Sequence, residues 1–126
     1  MKNGTYLSRD TILNAEDLKS EDIDVPEWGG KMRLREMTGA DREEYAEAVS
    51  GRASHYREAL IAFSAIDAQG NRVFTIEDVE ALSRKSDRAI QRLAEAATRL
   101  SGIGRAAVED ARKNSSPEPS ADSVSS

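Results

Sequence analysis

The sequence predicts a mainly α fold, with a small N-terminal β-hairpin followed by a compact bundle of four to five short helices and a disordered C-terminal tail. Three observations carry this expectation. Two runs of alternating polar and apolar residues flank a Pro-Glu-Trp-Gly-Gly turn at 26–30. Downstream, apolar residues recur at helical spacing behind Ser or Thr residues placed as caps. The end of the chain, 114–126, is rich in Ser and Pro and has little to bury. The expected organisation is therefore a weakly ordered segment over 1–20, one hairpin-plus-helix domain over 21–113, and a disordered tail over 114–126.

Within the first segment, Ser8 is placed to cap a short helix over Arg9 to Asn14. The hairpin follows. Glu21-Asp22-Ile23-Asp24-Val25 and Lys31-Met32-Arg33-Leu34-Arg35 alternate, so one face collects Ile23, Val25, Met32 and Leu34. The other face sets Asp22 and Asp24 near Arg33 and Arg35, where opposite charges stabilise a strand pair. Pro26 ends the first strand, and Gly29-Gly30 allow the backbone to reverse. A two-stranded hairpin is marginal alone, so its apolar face must rest on helices or on another chain.

Thr38-Gly39-Ala40-Asp41 resembles a capping box and predicts a helix through Tyr45 and Val49 to about Ser50-Gly51. A second helix is expected from Arg52 to about Ile66, with Tyr56, Ala59, Leu60, Phe63 and Ile66 on one stripe. It is the most hydrophobic helix and the expected centre of the core. After the turn Asp67–Arg72 and the apolar pair Val73-Phe74, Thr75 and Asp78 form a second capping box. The helix behind it should bury Ile76, Val79 and Leu82. Ser86 caps a fourth helix reaching about Ser101, with Ile90, Leu93, Ala97 and Leu100 inward and Gly102 placed to end it. A last helix over Arg105 to Lys113 would be apolar only through Ala106, Ala107, Val108 and Ala111.

Bulk composition narrows the function. In 126 residues, 38% are hydrophobic and only 5% aromatic, so the core is thin and aliphatic. The absence of Cys removes disulfide and thiolate chemistry. No apolar run approaches the ~20 residues that span a bilayer, and no secretory signal opens the chain; the expected location is the cytoplasm. Net charge is −5, unevenly spread: residues 1–51 carry −5 and residues 84–113 carry +4. These halves either solvate helix faces or attract, within one molecule or between copies.

The chemistry points away from catalysis. His55 is the single histidine and has no Cys to work with, so nucleophile–base pairs and metal sites lack a converging set of groups. Glu43, Glu44 and Glu47 read as a solvated acidic face. Asp67–Asp78 places oxygen donors near calcium-loop positions, but Arg72 stands where that loop needs Gly and Asp78 where it needs a bidentate Glu. Lys85, Arg88, Arg92 and Arg99 line one side of the fourth helix without any nucleic-acid-reading motif. The expectation is a non-enzymatic module with no cofactor, no metal, no nucleic acid and no membrane partner. Its candidate protein-binding residues are Trp28, Tyr56, Leu60, Phe63 and Phe74, with Trp28 either a contact at the hairpin tip or a lid on the core.

The stretch Ile12–Gly39, above all Val25-Pro26-Glu27-Trp28-Gly29-Gly30 followed by Met37-Thr38-Gly39, resembles the tail assembly chaperones of long-tailed bacteriophages and prophages. Asp67–Leu82, Ile90–Gly102 and the region near Glu109–Asn114 continue the resemblance, which spans roughly Ser8 to Asn114. It implies a protein of the infected cell's cytoplasm, absent from the mature virion. Such a protein would help the tape measure protein and tail tube subunits assemble. It also implies a short form, like this chain, beside a longer form made by ribosomal frameshifting, and association of the two. Self-association is expected as well, from the hairpin's unpaired edges and the charge asymmetry. The rival expectation is a small structural tail or connector protein of the virion; a small regulator acting through the basic helix is the third.

Overall fold

The computed structural model describes residues 6–50 and 54–103. The helix expected over 105–113 and the tail from Asn114 lie outside the described residues, as does the expected helix start at Arg52. In chain order the elements are α1 (Arg9–Asn14), β1 (Ser20–Val25), a 3-10 turn (Pro26–Trp28), β2 (Gly30–Arg35), α2 (Gly39–Val49), α3 (Tyr56–Ala62), β3 (Ala65–Ile66), a second 3-10 turn (Ile76–Asp78), α4 (Val79–Leu82) and α5 (Asp87–Leu100).

The caps form where short polar side chains meet orphan helix N–H groups. Ser8 accepts from the Thr11 N–H at α1, and Ser86 accepts from the Ala89 N–H at α5. Thr38 and Asp41 close a reciprocal capping box at α2, and Thr75 and Asp78 close another ahead of α4. At the far end of α5, Gly102 turns left-handed at φ +68°. The Ile103 N–H then reaches the Thr98 carbonyl at 3.1 Å, and the Gly102 N–H reaches that of Arg99 at 3.4 Å. This paired closure satisfies carbonyls the helix leaves open and drives Ile103 into the core.

The hairpin pairs antiparallel with Ile23 opposite Met32 and Asp22 opposite Arg33. Val25 and Leu34 are buried, and Ile23 and Met32 pack half-buried against the core. Across the other face, Asp22 and Arg33 form an ion pair at 2.8 Å. Asp24, however, stands opposite Lys31 and Arg35 opposite Ser20, so only one of the two expected acid–arginine pairs is a direct cross-strand match.

The structure departs from the expected fold in three places. The fold is mixed α and β, because a third strand joins the sheet in the order β1-β2-β3. That strand comes from residues expected to extend the second helix: Ala65 and Ile66 pair with Leu34 and Arg33. Helical periodicity persists in the sequence through Ile66, but the hairpin needs a partner for its inner edge, and ladder bonds from Ala65–Ile66 supply it. The second helix also begins late, at Tyr56, since His55 ahead of it sits at φ +68°, outside helical space. Finally, the third helix opens as a 3-10 turn, and Ile76, expected inward, is 45% exposed, while Val79 and Leu82 are buried.

The core sits between the sheet's inner face, α3 and α5. Every residue from Glu58 to Ile66 is buried, and α5 contributes Ala89, Ile90, Leu93, Ala94, Ala96 and Ala97. The Ala-rich face of α5 lets it lie close against α3, which compensates for the shortage of large side chains.

Candidate protein-binding surfaces

The five residues singled out from the sequence do not share one surface. Leu60 is 1% exposed and Phe63 5%. Both are core. Tyr56, Phe74 and Trp28 are half-buried and pack against that core. Trp28 lies in the 3-10 turn between β1 and β2, so it covers the core from the hairpin tip while keeping part of its ring at the surface.

The hairpin tip is pinned by charge. Arg92 of α5 donates two hydrogen bonds to the Glu27 carboxylate, at 2.7 and 2.8 Å. That fork, aided by a backbone hydrogen bond, holds the Glu27 carboxyl down to about 2 from its ordinary 4.5. Arg99 reaches Glu21 of β1 at 3.0 Å, and Arg72 reaches Asp41 of α2 at 3.2 Å. The acidic front and the basic back of the sequence therefore meet within one molecule. Arg92 and Arg99, two of the four cations expected along the stripe from Lys85 to Arg99, are engaged this way, leaving a weaker positive face than the sequence suggested.

Around Phe63 the packing is specific. Tyr45 meets it edge-on, with centroids 6.4 Å apart and planes at 83°. Arg72 lies over the Phe63 ring, 4.5 Å from its centroid. Tyr45 is itself buried, which pushes its phenol pKa up, and its hydroxyl has no hydrogen-bond partner among the described residues.

Two shallow grooves flank the loop between β3 and α4. One, of about 410 Å³, is lined by Glu44, Glu47 and Ala48 of α2 and by Phe63, Arg72, Thr75 and Ile76. The other, of about 290 Å³, includes Met32, Ile66 and Val73 beside Asp22, Lys31 and Arg33. A third cleft, of about 430 Å³, lies at the start of α3, lined by His55, Tyr56, Arg57 and Glu58 among others. There the His55 ring hydrogen-bonds its neighbour Ser54 at 3.1 Å, and Arg57 binds Asp87 at 2.9 Å and Gln91 at 2.8 Å. This is an ion-pair network rather than a nucleophile held by a base.

The Asp67–Asp78 segment is organised around its own backbone. One Asp67 oxygen accepts from the Gln69 and Asn71 N–H groups, both at 2.9 Å, and Asp78 is taken up in its capping box. Among the described residues no group of His, Asp and Glu converges as a metal site, and no helix is long and apolar enough to cross a membrane.

The sequence reading missed one surface. Tyr6, Leu7, Ile12, Leu13 and Leu18 are all exposed, and α1 buries no residue. The signal was present in the apolar residues on both sides of the Ser8 cap.

No known family profile matches the chain, and no curated protein matches it. A solved structure, the tail assembly chaperone of bacteriophage HK97, matches at a TM-score of 0.56 and 23% identity, over 75% of this chain and 94% of that one. The resemblance read from the residues thus extends to three dimensions: in fold, this chain is similar to a bacteriophage tail assembly chaperone.

Proposed function

We propose that this protein is a non-catalytic tail assembly chaperone, acting in the cytoplasm of the infected cell to hold the tape measure protein, with tail tube subunits as further partners. The observation that carries the reading is the fold shared with the HK97 chaperone along nearly all of that protein's length. The sequence resemblance over Ser8–Asn114 supports it independently. A client that is long, helical and apolar requires accessible apolar surface on a soluble carrier. The grooves beside the β3–α4 loop and the half-buried rings of Trp28, Tyr56 and Phe74 are of that kind. Leu60 and Phe63 would meet a client only if α3 opened. Self-association, and association with a longer frameshifted form, belong to the same reading.

Co-expression tests it. Tape measure protein should stay in the soluble fraction with this chain and precipitate without it, and a tagged chain should recover it from infected cells. Equal precipitation in both cases removes the reading. Stoichiometric recovery of the chain from purified particles would favour the rival, a structural tail or connector protein.

A further inference from the structure

Register and ladder bonds together fix which backbone groups of the hairpin remain unspent. The Glu36 N–H reaches the Lys19 carbonyl at 2.8 Å, one step beyond the Ser20–Arg35 pair. In an antiparallel ladder, directly opposed residues alternate between pairs that exchange hydrogen bonds and pairs that do not. Along this register, Glu21 and Ile23 therefore face Leu34 and Met32 as bonded pairs, while Ser20, Asp22 and Asp24 turn their N–H and C=O groups away from β2. The Arg35 N–H, which reaches the Ser64 carbonyl on the β3 side at 2.8 Å, has the matching phase. The sheet order β1-β2-β3 makes β1 an edge. Three donors and three acceptors stand in a row along it, and beyond the ladder no hydrogen bond among the described residues takes them up. An open edge of this kind is a template for another strand.

Charge indicates which strand fits. Residues 16–24 hold Glu16, Asp17, Glu21, Asp22 and Asp24 against Lys19 alone. Glu21 and Asp22 are paired, with Arg99 and Arg33. Glu16, Asp17 and Asp24 are exposed and form no ion pair among the described residues. Asp22 and Asp24 lie on the outer face of the edge, and half-buried Ile23 on the inner one. Lys31 and Arg33 of β2 lie one strand farther in. A second β1 laid antiparallel on this edge about Asp22 would set acid against acid, which is destabilising. A strand with cations opposite Asp22 and Asp24 and an apolar residue opposite Ile23 is stabilised at each position instead.

The geometry points to the β1 edge as the site where an extended basic segment of the client adds a fourth strand, antiparallel, with Lys or Arg alternating with apolar residues. Pro26, which has no N–H to offer, ends the added ladder at the hairpin tip. This deepens the client holding in the proposed function and rests on it for the partner's identity; the edge itself is read separately.

The probe is a labelled peptide of alternating Lys and Val, titrated onto the full chain. It should bind, and a peptide of the same composition with its Lys and Val in separate blocks should bind about tenfold more weakly. Methylating the backbone nitrogens of the Lys residues, which face β1, should abolish binding; methylating those of Val, which face away, should not. On binding, hydrogen exchange should slow at the Ser20, Asp22 and Asp24 amides. Asp24→Lys, at an exposed position without an ion pair, should weaken binding about fivefold, the size of one cross-strand charge pair, and leave the thermal melt unchanged. No binding by the alternating peptide overturns the inference, as does equal binding by the block peptide, by the Lys-methylated peptide or to Asp24→Lys. Slow exchange at those three amides in the chain alone would mean the edge is already covered and overturns it too. Each of these outcomes leaves the proposed function standing, whereas a tape measure protein that precipitates with this chain present removes that reading and not the edge.

Discussion

Two short helices of this protein are built on opposite principles. α1 has the local signals: a Ser8 cap, Asp10 in its first turn, and Leu7 and Ile12 flanking the cap where a hydrophobic staple would sit. It buries nothing. α3 lacks a side-chain cap and starts from a residue in left-handed backbone, yet Glu58, Ala59, Leu60, Ile61 and Ala62 are all buried. The contrast teaches that local signals decide where a helix can start, while burial decides how much the fold depends on it. α3 is held by its neighbours; α1 is written into its own sequence and left available.

The sharpest way to test the contrast is to truncate one leucine in each. Leu60→Ala should lower unfolding free energy by about 2–5 kcal/mol, as cavities in packed cores do. Leu13→Ala, at 65% exposure, should leave it within about 0.5 kcal/mol. Urea denaturation of dilute protein reads both; comparable losses would mean α1 is part of the core.

A second pair compares two left-handed positions. Gly102 occupies φ +68° with open space around it, and His55 occupies φ +68° with a side chain. Gly102→Ala should cost about 1–2 kcal/mol, since any Cβ strains that conformation. His55→Gly should stabilise by about 0.5–1 kcal/mol by the same argument reversed. Thermal melts decide it. A destabilised His55→Gly variant would show that the His55 ring contributes more than its backbone strain costs.

The smallest effect is electrostatic and should appear only as a function of pH. Glu27 has a folded pKa held down to about 2 against an ordinary 4.5. A depressed carboxylate stabilises the fold above its unfolded pKa, and that contribution fades as pH falls from about 4.5 toward 2. Glu27→Gln should therefore be less stable than the parent at pH 7 and equal to it near pH 2. A gap that stays constant across that range would trace the loss to packing at the hairpin tip instead of to the Arg92 pair.

Much of this was legible in the residues. The caps at Ser8, Thr38, Thr75 and Ser86, the Gly102 stop, the hairpin with Val25 and Leu34 inward, and the α5 stripe all follow from short-range stereochemistry and periodicity. The miss at Ala65–Ile66 has a physical cause. Helical spacing of apolar residues through Ile66 is compatible with either state, and a distant edge on β2 chose the strand. The binding candidates suffered the same ambiguity. An apolar residue at helical spacing is equally a core or a contact residue, so Leu60 and Phe63 could not be separated from Tyr56, Phe74 and Trp28 before packing was known.

What the sequence by itself determined is therefore local: where helices start and stop, which strand face is apolar, where charge of each sign lies, and that no thiol chemistry is available. Only the tertiary structure decided that the opposite charges of front and back meet as Glu27–Arg92 and Glu21–Arg99, that a third strand completes the sheet, and that Leu7, Leu13 and Leu18 stay outside. The physical reason is range. Caps and periodicity act over three or four residues and are encoded side by side, whereas ion pairs, strand pairing and burial depend on residues dozens of positions apart that only packing brings together.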